Sequence, residues 1–219
     1  HTRREVEEAI DAGADELLVP MVRRASDVEA VLEYAAGRCQ VGFLVETCDA
    51  VACIEQFAGL PVSRVYLGLF DLAIERRTSL FAPLVDGTLD RVRAAVRAPF
   101  GFGGLTLPER GAPIPCRLLL GEMLRLSCDF SFLRRSFLAD TKDKDPADAV
   151  QKIRAAAAVG LARTASEVTS PSDIARRKGI DNVHAKTSRV RSSCGSSRPS
   201  DHSDAIEIKF VDSGQSEDV

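Results

Sequence analysis

At 219 residues with 45% hydrophobic content, the chain can build one good core, and a net charge of -3 excludes a general polyanion binder. No apolar run approaches the roughly 20 residues of a membrane span. The charged start, His1-Thr2-Arg3-Arg4-Glu5, lacks the apolar segment of a signal peptide. These features predict a cytoplasmic protein with neither a membrane nor a nucleic-acid partner.

The elements follow in chain order. Residues 1–14 read as an amphipathic helix, with Val6, Ala9, Ile10 and Ala14 at helical spacing and Gly13 near its end. Glu16 to Val22 is a short apolar run of buried-strand type. Ser26 and Glu29 have the spacing of a capping box, ahead of a helix whose buried stripe is Val28, Val31, Leu32 and Ala35. A second strand runs from Gln40 to Glu46, followed by a helix from about Cys48 to Ala58. A third strand runs from Arg64 to Asp71 and leads into a charged loop, Glu75-Arg76-Arg77. A helix near Thr88 to Val96 precedes a fourth, glycine-rich strand, Phe100 to Thr106. After a Pro-rich turn come a helix from Leu118 to Leu126, a last strand from Asp129 to Phe137, and a closing helix from Pro146 to Leu161. Strands alternating with helices mean a parallel sheet with right-handed crossovers. Five such units make either a small open sheet or the later part of an eight-unit barrel.

After about Arg163 the texture changes. Residues 164–204 are rich in Ser, Thr, Arg and Lys and cannot bury enough surface to offset their ordering entropy, so a disordered tail is predicted over 164–219. Within it, Ala205 to Val211 reads as a short strand or helix. The basic stretch from Arg176 to Arg191 carries no groove-reading motif and reads as solvated.

Glu46 and Asp71 each end an apolar strand. In a parallel α/β fold that arrangement places both on the rim formed by the carboxyl ends of the strands, where active sites gather. Two hard oxygen ligands on one rim point to Mg²⁺ or Mn²⁺. Singly, each acid also suits a first-turn or helix-capping position. The segment Phe102-Gly103-Gly104-Leu105-Thr106 would let backbone amides approach an anion, or would serve tight packing; it matches no phosphate-cradling fingerprint. Arg134 and Arg135 end the last strand, so one of them faces inward, where it would grip an anionic substrate; a surface ion pair is the alternative. The six cysteines form no C-x-x-C pair, and reduced thiols are expected.

Several segments stand together in an order that resembles the HpcH/HpaI aldolase and citrate lyase β-subunit family of the phosphoenolpyruvate/pyruvate barrel superfamily. They are Ala12-Gly13-Ala14-Asp15 with Val19-Pro20-Met21-Val22, then Leu44-Val45-Glu46-Thr47, then Leu67-Gly68-Leu69-Phe70-Asp71-Leu72-Ala73. The resemblance is specific over residues 10–75, weaker to about 160, and absent beyond. It implies a TIM-type (β/α)₈ barrel, partial in this chain over residues 1–163, and a metal-dependent carbon–carbon lyase. The substrate would be a small 2-oxo acid or an acyl-CoA, handled through a metal-stabilised enolate in a homo-oligomer. Glu46 and Asp71 would hold Mg²⁺ or Mn²⁺. Gly68, Phe70 and Asp71 would form the loop that takes the substrate carboxylate. Apart from the resemblance, the strand-end positions of Thr106, Arg134 and Arg135 make them further candidates for the pocket wall.

Three departures accompany the resemblance. The family's Gly-Pro-x-Asp is Gly68-Leu69-Phe70-Asp71, with no proline and a bulky Phe at a usually small position. The family's substrate-binding Arg and catalytic His would both fall before residue 1. No histidine stands between His1 and His184 to replace the latter. The chain is therefore expected to be a piece of a barrel whose first units lie upstream. A non-catalytic barrel relative and a phosphoenolpyruvate mutase-like enzyme are the alternatives.

Overall fold

The computed structural model describes residues 2–161 and 207–209. In order they form α1 (Arg3–Asp11), β1 (Glu16–Val19), α2 (Ala25–Ala35), β2 (Gln40–Val45), α3 (Cys48–Ala52), β3 (Val65–Leu67), α4 (Leu69–Arg76), α5 (Thr88–Ala95), β4 (Phe100–Leu105), α6 (Cys116–Arg125), β5 (Phe130–Leu133), α7 (Ser136–Asp140), α8 (Pro146–Leu161) and β6 (Glu207–Lys209). The expected disordered tail and Cys194 lie outside the described residues, except for β6 itself. There the strand, and not the helix, is the form adopted.

The sheet order is β1-β2-β3-β4-β5-β6, parallel throughout. Each strand pairs with the next in sequence, so the order never reverses. Crossovers of one hand then keep the helices on one side of the sheet. The first five strands curl into a parallel half-barrel.

Side chains along each strand alternate between two environments. Val41, Phe43 and Val45 of β2, Val65 and Leu67 of β3, and Phe100 and Phe102 of β4 are buried in the main core. Phe43 stacks on Phe57 at 4.8 Å between ring centres. α2 contributes Val28, Val31 and Ala35, the helical stripe its spacing predicts. The opposite, concave face is layered. Its lowest layer is the ion pair of Arg64 Nε with Glu16 Oε1 at 2.7 Å, with the Arg64 guanidinium over the Phe130 ring. Above it lies an aromatic layer in which Tyr66 sits 4.2 Å from Phe132 and 6.0 Å from Phe130. Gly101 belongs to this tight layer: a Cβ there would collide with the Phe130 carbonyl.

Several boundaries differ from expectation. β3 ends at Leu67 rather than Asp71, and the chain turns into α4 at Leu69. The apolar run continues past the strand because Leu69, Leu72 and Ala73 form the buried stripe of a helix. The expected charged loop is the end of α4, with Arg77 closing it in the left-handed conformation. The last strand stops at Leu133, and Phe137 is buried from α7. Ser26 does not cap α2. Arg24 holds the cap position, and the Asp27 carboxylate accepts from the backbone N–H of Arg23 at 2.8 Å and of Arg24 at 3.0 Å. The helix expected over Cys48–Ala58 breaks at Cys53 into α3 and a 3-10 turn, Ile54–Phe57.

Cys39, Cys48, Cys53, Cys116 and Cys128 are free thiols, as expected. Among the described residues, no helix is long and apolar enough to cross a membrane.

Candidate active site

A cavity of about 1040 Å³ opens at the carboxyl ends of the strands. Glu46, directly after β2, and Asp71, in the first turn of α4, both line it. The shared rim expected of these two acids is therefore present, although Asp71 reaches it from a helix and not from a strand end.

Glu46 is only 5% exposed. Its neighbour Thr47 locks the strand end in place. The fully buried Thr47 hydroxyl donates to the Val22 carbonyl at 2.6 Å and accepts from the Ala50 N–H at 3.1 Å, capping α3. Thr47→Ala removes both bonds and leaves a buried carbonyl unpaired. It is expected to cost about 1–2 kcal/mol, measured as a lower urea midpoint at unchanged slope.

One Glu46 oxygen, Oε1, accepts the backbone N–H of Met21 at 2.7 Å. Met21 holds a left-handed φ of 51°, uncommon for a residue with a side chain. The other oxygen, Oε2, lies across Gly68, where a Cβ would come within 2.7 Å of it. Glycine at position 68 thus gives the carboxylate its place. Burial raises the Glu46 pKa above the ordinary carboxylate value; the Met21 bond opposes this, and the negative charge of Asp71 adds to it.

Phe70, 66% exposed, stands at the mouth of the cavity beside Asp71, and Gly68 caps the helix without a side-chain bond. The first turn of α4, from Leu69 to Asp71, therefore borders the cavity, and the N–H groups of such a turn lack partners within the helix. Arg134 and Arg135 also line the cavity from the turn after β5, and Gly103 and Gly104 line it from β4. Arg134 is half-buried and Arg135 exposed, which settles which of the two turns inward. Thr106 does not belong to the lining. It is fully buried, and its hydroxyl donates to Asp140 Oδ2 at 2.5 Å; Asp140 is the residue that lines the cavity.

The sequence reading missed three features. Tyr66 lines the floor near Glu46, and burial raises its phenol pKa, with smaller contributions from Cys128 and Glu46, so the hydroxyl remains a proton-bearing donor. An alternation count along β3 would have placed it on the face of Gly68. The segment Glu109–Ala112 forms part of the wall and carries no motif. Glu75 accepts from the Cys48 N–H at 3.2 Å and from Arg23 at 3.2 Å, while Arg23 also meets Asp49 at 2.8 Å. This network ties α3 and α4 together beside the rim.

Among the described residues, no cluster of three or more His, Cys, Asp or Glu side chains is arranged as a metal site. Glu46 and Asp71 alone still suit a hard divalent cation. They are oxygen donors on one cavity, the charge of Asp71 raises the cost of charge on Glu46, and a small oxygen-loving ion completes its shell with water and substrate oxygens.

No family model matches the chain, and no curated protein matches it. Among solved structures, the crystal structure of RipC from Yersinia pestis is similar, with 15% sequence identity and a TM-score of 0.51. The match covers 76% of this chain and 73% of the RipC chain. At that identity the likeness to RipC extends to the fold alone, an α/β fold with a curled parallel sheet.

Proposed function

We propose that this half-barrel is the later part of a (β/α)₈ barrel and that its rim cavity binds a 2-oxo acid for carbon–carbon cleavage with Mg²⁺ or Mn²⁺. The observation that carries the reading is the buried Glu46 carboxylate, held by Met21 and Gly68, in the same cavity as Asp71.

Glu46 and Asp71 would hold the cation, which when bound polarises the 2-oxo oxygen of the substrate. The first-turn amides of α4, at Phe70 and Asp71, would take the substrate carboxylate at the positive end of the helix. Phe70 and Leu44 give the cavity apolar walls that limit water around the reacting carbon. Tyr66, kept protonated by burial, offers a hydrogen bond from the floor. With oxaloacetate, the bond between C3 and C4 breaks, C4 leaves as CO₂, and C3 takes a proton to give pyruvate.

The test is decarboxylation of oxaloacetate by the full chain with Mn²⁺, against Mn²⁺ in the same buffer. The reading expects pyruvate to form faster with protein than with the ion alone. Equal rates, with Mn²⁺ bound to the protein, would make the chain a non-catalytic relative of the same fold.

A further inference from the structure

Among the described residues, Arg134 is a cation of this cavity whose burial no contact explains. Its Nε and Nη2 atoms are shut off from bulk solvent, and among the described residues neither has a hydrogen-bond partner. Both belong to one edge of the guanidinium, the edge whose parallel N–H groups match a carboxylate or phosphate. Burying such an edge unpaired costs free energy, so a retained one calls for an acceptor.

The surrounding backbone makes room for this side chain. A Cβ at Gly104 would come within 2.8 Å of Arg134 Cβ, and one at Gly111 would collide with Nη2. Gly111 also holds a φ of 110°, a conformation that suits glycine. Glu109 and Asp140 line the same cavity, yet neither forms an ion pair or hydrogen bond with Arg134. Asp140 is engaged by the Thr106 hydroxyl instead.

Arg134 follows β5, whereas Asp71 and the first turn of α4 follow β3. Two inter-strand steps of about 4.8 Å each separate those strand ends. A short diacid chain and the reach of the arginine together span that gap.

We propose that the Nε–Nη2 edge of Arg134 seats a second oxyanion, carboxylate or phosphate, at the far end of the ligand, so that the cavity takes a 2-oxo acid with two anionic ends. The 2-oxo end rests on the lyase reading above; the anion seat does not depend on it.

The test is isothermal titration of the full chain with 2-oxoglutarate, 2-oxo-4-phosphonobutyrate and the monoanion 2-oxopentanoate, each with and without Mn²⁺. A bidentate charged contact predicts that one of the two dianions binds at least about tenfold tighter than 2-oxopentanoate. The tighter of the two identifies the oxyanion. Arg134→Gln should erase that advantage, and Arg134→Lys, which keeps the charge without the fork, should retain only part of it.

Equal binding of all three by the unaltered protein would overturn the proposal, as would a dianion preference that survives in Arg134→Gln. If Arg134→Gln does not fold by circular dichroism, the ratio in the unaltered protein and in Arg134→Lys decides. A dianion preference with no tightening of any of the three by Mn²⁺ would keep the anion seat and count against the cation. Tightening of all three by Mn²⁺ with no dianion preference would do the reverse, and no binding of any of the three would sink both.

Discussion

Glu46→Gln is expected to lower Mn²⁺-dependent decarboxylation of oxaloacetate at least about 100-fold, since a Lewis acid supplies several kcal/mol to such a step. The amide keeps the shape of the side chain and an acceptor for the Met21 N–H, but it loses the charge that a cation needs. The same variant should not be less stable than the parent in metal-free buffer at neutral pH. Its neutral side chain escapes both the burial cost and the repulsion from Asp71 that raise the Glu46 pKa.

That shift has a sign in pH. A carboxyl whose folded pKa is raised binds more protons folded than unfolded, so stability falls as pH climbs between the two values. Below about pH 4 the parent and Glu46→Gln both carry a neutral group there. Above the raised Glu46 value the parent bears the full cost. The difference in melting temperature, variant minus parent, should therefore grow with pH across that window and then level off. Mn²⁺ at neutral pH should raise the melting temperature of the parent and leave that of the variant nearly unchanged. A flat difference across the window would contradict the burial argument.

Gly68→Ala is the second large effect. A Cβ at this position meets Glu46 Oε2 at 2.7 Å, closer than real Cβ atoms come, and Glu46 Cβ at 3.1 Å, a tight contact. The φ of Gly68, -80°, is one that alanine adopts freely, so the effect is steric and not conformational. The carboxylate has to swing away from the cavity or the start of α4 has to shift. Forced repacking of this kind costs about 1–3 kcal/mol. If Glu46 holds the proposed cation, displacing its oxygen by about 1 Å should weaken Mn²⁺ binding about 10- to 100-fold. Calorimetric titration with Mn²⁺ beside urea unfolding measures both. Unchanged Mn²⁺ affinity in a folded Gly68→Ala protein would remove Gly68 from the site.

Much of the fold was legible in the chain because the β/α alternation is regular and each strand is a dense apolar run. The parallel order of β1 to β5 follows from that alternation. Strand ends were harder to read. Leu69 and Phe70 continue an apolar run, so helix α4 looked like strand, and only the burial of Leu69, Leu72 and Ala73 against the exposed Phe70 reveals the helical period. Ser26 was a plausible cap, yet the short Asp27 carboxylate reaches two backbone N–H groups at once.

The two acids were found from position alone, since residues that follow parallel strands share a rim. What positions them was not legible. The Met21 N–H and the Gly68 gap come from tertiary packing between segments 25 and 22 residues from Glu46, and no local pattern encodes that meeting. Arg134 was separable from Arg135 only once the strand was seen to end at Leu133.

The central claim is that Glu46 and Asp71 share one divalent cation, and Mn²⁺ titration of the full chain followed by electron paramagnetic resonance tests it most directly. The account predicts one Mn²⁺ per chain, with affinity falling about tenfold or more in Glu46→Gln and again in Asp71→Asn. A Mn²⁺ affinity the same in both variants as in the parent, or no bound Mn²⁺ at all, would contradict it.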